Sequence, residues 1–214
     1  MSVAAKICGL SSAEAVAAAI EGGARYLGFV FYPPSPRAVA AAAAARLAAA
    51  VPAGVLQVGL FVDAEDNTIA AVLDQVPLDL LQFHGGESVE RVAAARRRFG
   101  RPVIKAVAVA GPQDLATAER YEETADFLLF DAKPPRRPDA LPGGNGLAFD
   151  WGLVAGRRWR RPWLLSGGLT ADSLAEAVRI SGAVIVDVSS GVEHRPGLKD
   201  PDKIRAFLAA ARAL

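Results

Sequence analysis

The feature that most limits how this chain can fold is a repeat. Eight apolar runs lie at about Ala4–Cys8, Tyr26–Phe31, Leu56–Val62, Leu78–Phe83, Val103–Val109, Phe127–Asp131, Trp163–Ser166 and Val184–Val188. A glycine, proline or polar break follows each run, and then a helix-like segment. Most runs begin about 20–30 residues after the last, the size of one strand–helix unit. Val184 to Val188 shows their character: it is β-branched and apolar without alternation, as a strand buried on both faces of a parallel sheet should be. Eight such units with nothing left over predict an α/β protein built as a single (β/α)8 barrel, one domain over residues 1–214. An open doubly wound sheet is the alternative, but its usual strand count is lower. The first turn, Cys8-Gly9-Leu10-Ser11, also lacks the G-x-G-x-x-G fingerprint of dinucleotide folds, and no G-x-x-x-x-G-K-[ST] run is present.

Independent signals support the helices. Ser11-Ser12-Ala13-Glu14 carries a capping-box pattern, and Gly22-Gly23 sits where the first helix should stop. Ile69, Val72, Leu73 and Val76 form a helical stripe, as do Ile204, Phe207, Leu208 and Ala211. Asp200-Pro201 places an N-cap before a proline at the first helical position. Residues 38–50, almost all alanine, read as a surface helix of strong intrinsic propensity. Asp63 and Asp150 read as helix-start residues. The basic clusters Arg96-Arg97-Arg98 and Arg157-Arg158 with Arg160-Arg161 read as solvated helix ends.

Composition excludes several classes. A chain of 214 residues that is 52% hydrophobic supports one substantial core rather than two α/β domains. A net charge of +1 gives no footprint for nucleic acid. No run is long enough to span a bilayer and no signal-peptide pattern precedes the first strand, so no membrane partner and a cytoplasmic location are expected. One cysteine excludes an internal disulfide framework, and two histidines far from it in sequence argue against a zinc site.

Barrel active sites lie at the C-terminal ends of the strands, so the residues there are the candidates. Cys8 is a proton-transfer candidate if its surroundings favour thiolate; a small buried hydrophobe is the plain alternative. Asp131 closes an apolar strand and needs solvent, a partner or a role. It suits an acid if desolvated, and pairing with Lys133 or an arginine is the alternative. His84 could orient substrate or simply be structural. Arg37, after the rigid loop Pro33-Pro34-Ser35-Pro36, could clamp a carboxylate or point to water. Two strands end in small turns, Ser166-Gly167-Gly168 and Ser189-Ser190-Gly191, whose backbone N–H groups suit a phosphate; ordinary tight turns are the alternative. The longest irregular stretch, Lys133 to Gly146, follows the sixth strand and so belongs on the catalytic face.

The pieces taken in order resemble phosphoribosylanthranilate isomerases. They are Lys6-Ile7-Cys8-Gly9, Gly28-Phe29-Val30-Phe31, Ser35-Pro36-Arg37, Val58 to Val62, Leu81-Gln82-Phe83-His84-Gly85, Asp131-Ala132-Lys133, Gly143-Gly144-Asn145-Gly146 with Phe149-Asp150-Trp151, Leu165 to Leu169, and Asp187 to Glu193 with Pro196-Gly197 and Lys199-Asp200. The resemblance runs from the first strand to the last helix. It implies a TIM barrel and an Amadori rearrangement in tryptophan biosynthesis, without metal or cofactor. It implies Cys8 as general base and Asp131 as general acid, Arg37 and His84 as substrate-binding residues, and Gly144, Gly146, Gly167, Gly168, Ser189, Ser190 and Gly191 around the phosphate. Asn145 stands where the family usually has threonine, and Phe83 where it usually has leucine. A different sugar-phosphate barrel enzyme remains the main rival, because Lys6 and Lys105 lie on strands where a lyase or synthase could use them. A non-catalytic phosphate-binding protein is the other. A small phosphorylated substrate is the expected partner, and a monomer the expected state.

Overall fold

The structure, a computed structural model, describes residues 3–135 and 141–214; residues 1–2, and 136–140 of the long irregular stretch, lie outside it. Eight strands form one closed parallel sheet in chain order: β1 Ala4–Cys8, β2 Tyr26–Val30, β3 Leu56–Phe61, β4 Leu80–Phe83, β5 Val103–Val109, β6 Phe127–Ala132, β7 Trp163–Leu165 and β8 Ile185–Val188. The expected runs locate every strand, exceed β2, β3, β7 and β8 by one residue and β4 by two, and fall one short on β6, differences confined to strand ends. Pairing of β8 back onto β1 closes the barrel, with Lys6 opposite Asp187.

Strand alternation divides the core in two. Residues such as Ile7, Leu27, Phe29, Phe61, Leu81, Phe83 and Phe130 point outward and pack with the helices. Tyr26, Val58, Leu80, Ile104, Leu129 and Leu164 point inward and fill the barrel as a second cluster. Above that plug, Cys8, Val30 and Leu60 line the start of the mouth. The helices are α1 Ala13–Glu21, α2 Ala41–Ala48, α3 Asp66–Leu73, α4 Val89–Phe99, α5 Pro112–Glu119, α6 Ala171–Ser181 and α7 Pro201–Arg212. Asp200 caps α7 by accepting from the N–H groups of Asp202 and Lys203. The alanine-rich helix α2 is shorter than the run that suggests it, and it buries Ala44 and Ala48.

Several local expectations are corrected. Among the described residues no α-helix follows strand β6 before β7: the glycine loop and a single 3-10 turn, Trp151–Leu153, stand in its place. Pro134, Pro135 and Pro142 with Gly143, Gly144 and Gly146 cannot hold a helix there. Trp151, Trp159 and Trp163 pack into the space instead, Trp159 lying 4.8 Å from Phe130 between ring centroids. Asp150 does start that 3-10 turn, but Asp63 does not start α3. It takes a left-handed φ of 47° in the β3–α3 turn and accepts from the Gly86 N–H. Ser12 rather than Ser11 caps α1, so Glu14 falls at the second helical position and cannot reach back to close a capping box. Arg96 to Arg98 do end α4, whereas Arg157 and Arg160 lie in the segment before β7 and pair with Glu119 and Glu122. The hairpin of β9 Glu193–Arg195 and β10 Leu198–Lys199 was not foreseen, although Pro196-Gly197 marks its turn.

Because the inner plug is tightly filled, Leu129→Ala is expected to cost about 2–5 kcal/mol. Urea unfolding should show a lower midpoint with unchanged slope; an unaltered midpoint would show that the barrel interior is loosely packed.

Candidate active site

The C-terminal ends of the strands open into one cleft of about 750 Å³, mouth included. Cys8, Arg37, His84 and Asp131 line it, with residues 143–146, 166–168 and 189–191. The expected acid, base, substrate and phosphate residues therefore meet the same space.

Asp131 lies on the β6 side, buried. Its Oδ1 accepts from the Ala132 N–H at 2.8 Å and its Oδ2 faces His84 Nε2 at 3.2 Å. Gln82, one inward step below His84 on β4, presents its amide Nε2 to His84 Nδ1 at 2.9 Å. An amide N–H can only donate, so Nδ1 accepts and the ring proton sits on Nε2, aimed at Asp131. Lys133 takes no part: it pairs with Asp114 at 3.2 Å. Gly143 lies directly over the pair. A Cβ there would stand 2.6 Å from His84 Nε2 and 2.9 Å from Asp131 Oδ2, so only glycine lets the loop approach this closely.

Cys8 ends β1, with β7 and β8 between it and β6 in the barrel. Burial pushes its thiol above the ordinary range, with Asp187 adding to that push and Lys6 and Lys199 opposing it.

Arg37 is buried rather than solvent-facing. The Ser35 hydroxyl accepts from its backbone N–H. Its Nε and Nη2 both donate to the Glu193 carboxylate at 2.8 Å, and Nη2 also donates to the Gly144 carbonyl at 3.0 Å. Glu193 accepts in turn from Lys199 Nζ at 2.8 Å, and Lys199 reaches the Ser189 carbonyl at 2.8 Å. Burial pushes the Glu193 carboxyl up, but Arg37 and Lys199 outweigh it and hold the group below its ordinary range. For Lys199 burial prevails, and its ammonium is drawn down.

On the far side, Gly167 and Gly168 adopt left-handed φ values and, among the described residues, their N–H groups find no protein acceptor. Beside them Ser190 opens a short 3-10 turn after β8. Gly146 sits against Ser190, while Gly144 sits against Arg37, so the glycine loop reaches from one end of the cleft to the other. Ser166 is occupied: its hydroxyl donates to Asp187 Oδ2 at 3.1 Å.

Gln82, Asp187, Glu193 and Lys199 carry site contacts although the motifs give them no role, and the sequence offers Lys6 only as a lysine a lyase or synthase could use. Stepping two residues back from Cys8 and from His84 would have found Lys6 and Gln82 on the same inner face. Lys105, by contrast, faces out of the barrel and pairs with Glu87 at 2.8 Å, which removes one of the lysines a lyase could use.

Comparison with known proteins decides the family. Residues 5–210 match the family described as N-(5'phosphoribosyl)anthranilate (PRA) isomerase. The chain belongs to this family. It is 60% identical to the N-(5'-phosphoribosyl)anthranilate isomerase of Rhodospirillum centenum, over 100% of both chains. It resembles the crystal structure of phosphoribosyl anthranilate isomerase from Thermotoga maritima at 38% identity with a TM-score of 0.88, covering 99% of this chain and 100% of that one. A second PRA isomerase structure, in complex with reduced 1-(o-carboxyphenylamino)-1-deoxyribulose 5-phosphate, matches at 37% identity with a TM-score of 0.86, covering 99% and 100%. The two departures from the family pattern are local. Phe83 points outward to the helices, and the Asn145 side chain donates to the Leu141 carbonyl within its own loop. Among the described residues no helix is long and apolar enough to cross a membrane, and no group of three His, Cys, Asp or Glu side chains is placed to hold a metal.

Because the folded state holds Glu193 below its ordinary range, the stability it confers is complete above the unfolded carboxyl's range and lost as pH falls through the folded value. The gap in urea midpoint between the native protein and Glu193→Gln should therefore be widest at neutral pH and shrink on acidification. A gap independent of pH would contradict the ion-pair account.

Proposed function

We propose that this cleft carries out the Amadori rearrangement of N-(5-phosphoribosyl)anthranilate to 1-(2-carboxyphenylamino)-1-deoxyribulose 5-phosphate, the isomerase step of tryptophan biosynthesis. The observation that carries the reading is the placement of a carboxylic acid and a thiol on separate sides of one barrel mouth, in a chain of the PRA isomerase family. The related structure that binds a reduced form of that ketose phosphate supports the substrate class.

Asp131 gives a proton to the furanose ring oxygen, and the ring opens to an iminium ion. The iminium acidifies the hydrogen on C2. Cys8, as thiolate, takes that proton; the C–H pair becomes the C1=C2 double bond and the C=N pair returns to nitrogen. The enolamine then takes a proton at C1 and loses one from the C2 hydroxyl, which leaves the ketone with protons balanced. The substrate's own nitrogen is the electron sink. His84, donating to Asp131, orients the acid, and Arg37 meets the anthranilate carboxylate. Gly144 and Gly146 of the loop, with Gly167, Gly168, Ser189, Ser190 and Gly191, enclose the phosphate, for which unpaired backbone N–H groups are suited. We read the chain as one cytoplasmic catalytic domain over residues 1–214, and as a monomer.

Cys8→Ala and Asp131→Ala are each expected to lower turnover by about 10²–10⁴, the usual range for a general acid or base, with binding of a product analogue largely kept. Loss of anthranilate-type fluorescence from fresh substrate reads this directly, and near-native rates in either variant would remove the assigned role. Arg37→Ala should raise KM more than Arg37→Lys, because lysine keeps charge without the two-pronged geometry. Unchanged Michaelis constants in both would place Arg37 outside the substrate site.

A further inference from the structure

The largest fully buried charged side chain in the barrel has no part in the reaction just described. Lys6 is 0% exposed and stands on β1, two residues before Cys8, on the same inward face. Its Nζ donates to Asp187 Oδ1 at 2.7 Å, and Ser166 holds the other carboxylate oxygen. Burying an ion pair inside a barrel plug brings little net stability compared with apolar filling of the same volume. The pair therefore calls for a chemical reason.

The neighbouring strand supplies one. Gly28 on β2 lies opposite Cys8 in the parallel pairing. Glycine weakens a strand interior and often marks a place where another group must come close. A Cβ on Gly28 would lie 3.0 Å from Cys8 Sγ and 3.3 Å from Lys6 Nζ. The thiol and the ammonium thus share the bare face of one glycine, both deeply buried, where charge–charge interactions are strong. The other charged groups that act on the sulfur are Asp187 on β8 and Lys199 on β10, while β2 brings Tyr26, opposite Lys6, with Gly28 and Val30 to that face.

We propose that Lys6 is a positioning residue for the reaction: its buried ammonium, oriented by Asp187 and Ser166, stabilises Cys8 as a thiolate so that it can remove the C2 proton. The proposal rests on the reading of Cys8 as the base. When Cys8 takes the substrate proton it becomes a neutral thiol, and Lys6 returns to its ion pair with Asp187 alone. Lys6 itself gives up no proton and touches no substrate. Burial draws its ammonium down, but Asp187 and the neighbouring sulfur outweigh that and keep it charged.

Cys8 is the chain's only cysteine, so its ionisation can be followed without background. The experiment is a pH titration of thiolate ultraviolet absorbance, each protein corrected by its own Cys8→Ser version, alongside the pH profile of kcat/KM. Lys6→Met combined with Asp187→Asn removes the pair without stranding a charge. Its thiolate midpoint is expected to rise by about 1 pH unit or more, as loss of a close opposite charge should cause. Asp187→Asn alone is close in shape to the native protein and leaves Lys6 with only the sulfur to pair; its midpoint should fall. A midpoint unmoved in either folded variant would overturn the proposal and make the pair a packing element. If the thiolate midpoint moves and the kcat/KM profile does not follow, Lys6 controls the sulfur as proposed, and it is the assignment of Cys8 as base that fails.

Discussion

Pairing of β8 onto β1 turns a curved sheet into a closed vessel, and the site depends on it. Only closure places Lys6 opposite Asp187 and sets the Cys8 end of β1 beside the turn that begins at Ser189. The two strands are separated by almost the whole chain, the Lys6–Asp187 contact spanning 181 residues. Such a contact repays its loop-closure entropy only after the intervening units have assembled. An ion pair at this seam also fixes register. A slip of one residue would turn Lys6 and Asp187 outward among Ile7, Val186 and Val188, where no partner awaits a charge.

The segment between β6 and β7, without an α-helix among the described residues, departs from the regular strand–helix pattern. An α-helix after β6 would pack against the outside of the sheet and leave Asp131 uncovered. The glycine loop instead folds across the mouth, with Gly143 over the His84–Asp131 pair and Gly144 over Arg37. The cost is an outer gap, and aromatic side chains fill it: Trp159 and Trp163 both pack against Phe130, one strand residue before the acid. The buried indole N–H groups of Trp151 and Trp159 have no hydrogen-bond partner among the described residues, the mark of large rings accepted for their volume.

Period and spacing made the barrel legible, because each strand is a short apolar run and each break carries its own turn chemistry. The strand-end rule then led straight to Cys8, His84 and Asp131, whose identities depend only on where their strands stop. Arg37 was harder. Its own neighbourhood describes a polar loop, and its burial comes from Glu193, 156 residues away, on a hairpin too short to show a strand pattern. Lys199 is hidden for the same reason. Lys6 and Gln82 were visible in principle, since alternation alone puts them under Cys8 and His84. Which face of the strand such a lysine or glutamine takes nevertheless has no meaning for the site until closure of the sheet is established. The capping residue of α1 and the turn at Asp63 were misplaced by one to three residues, where local hydrogen bonds rather than patterning choose the boundary.

The polar residues of the mouth form a graded series rather than a scatter. Arg37 uses its Nε edge on Glu193, which leaves the Nη1 side of the guanidinium without a carboxylate partner among the described residues. Glu193 is shared with Lys199, so the pair does not cancel the charge that Arg37 presents to the cleft. Lys199 then ties this end to the carbonyl and hydroxyl of Ser189, at the start of the small-residue turn. A substrate with a carboxylate at one end and a phosphate at the other would meet two anchors held by one buried chain of hydrogen bonds. Neither anchor can move without straining the other. The distance between the ends is therefore set by the fold, and a substrate bound through both anions would have its reacting carbons held between Asp131 and Cys8. Positioning of this kind is a large share of what an acid–base enzyme can offer a substrate that supplies its own electron sink.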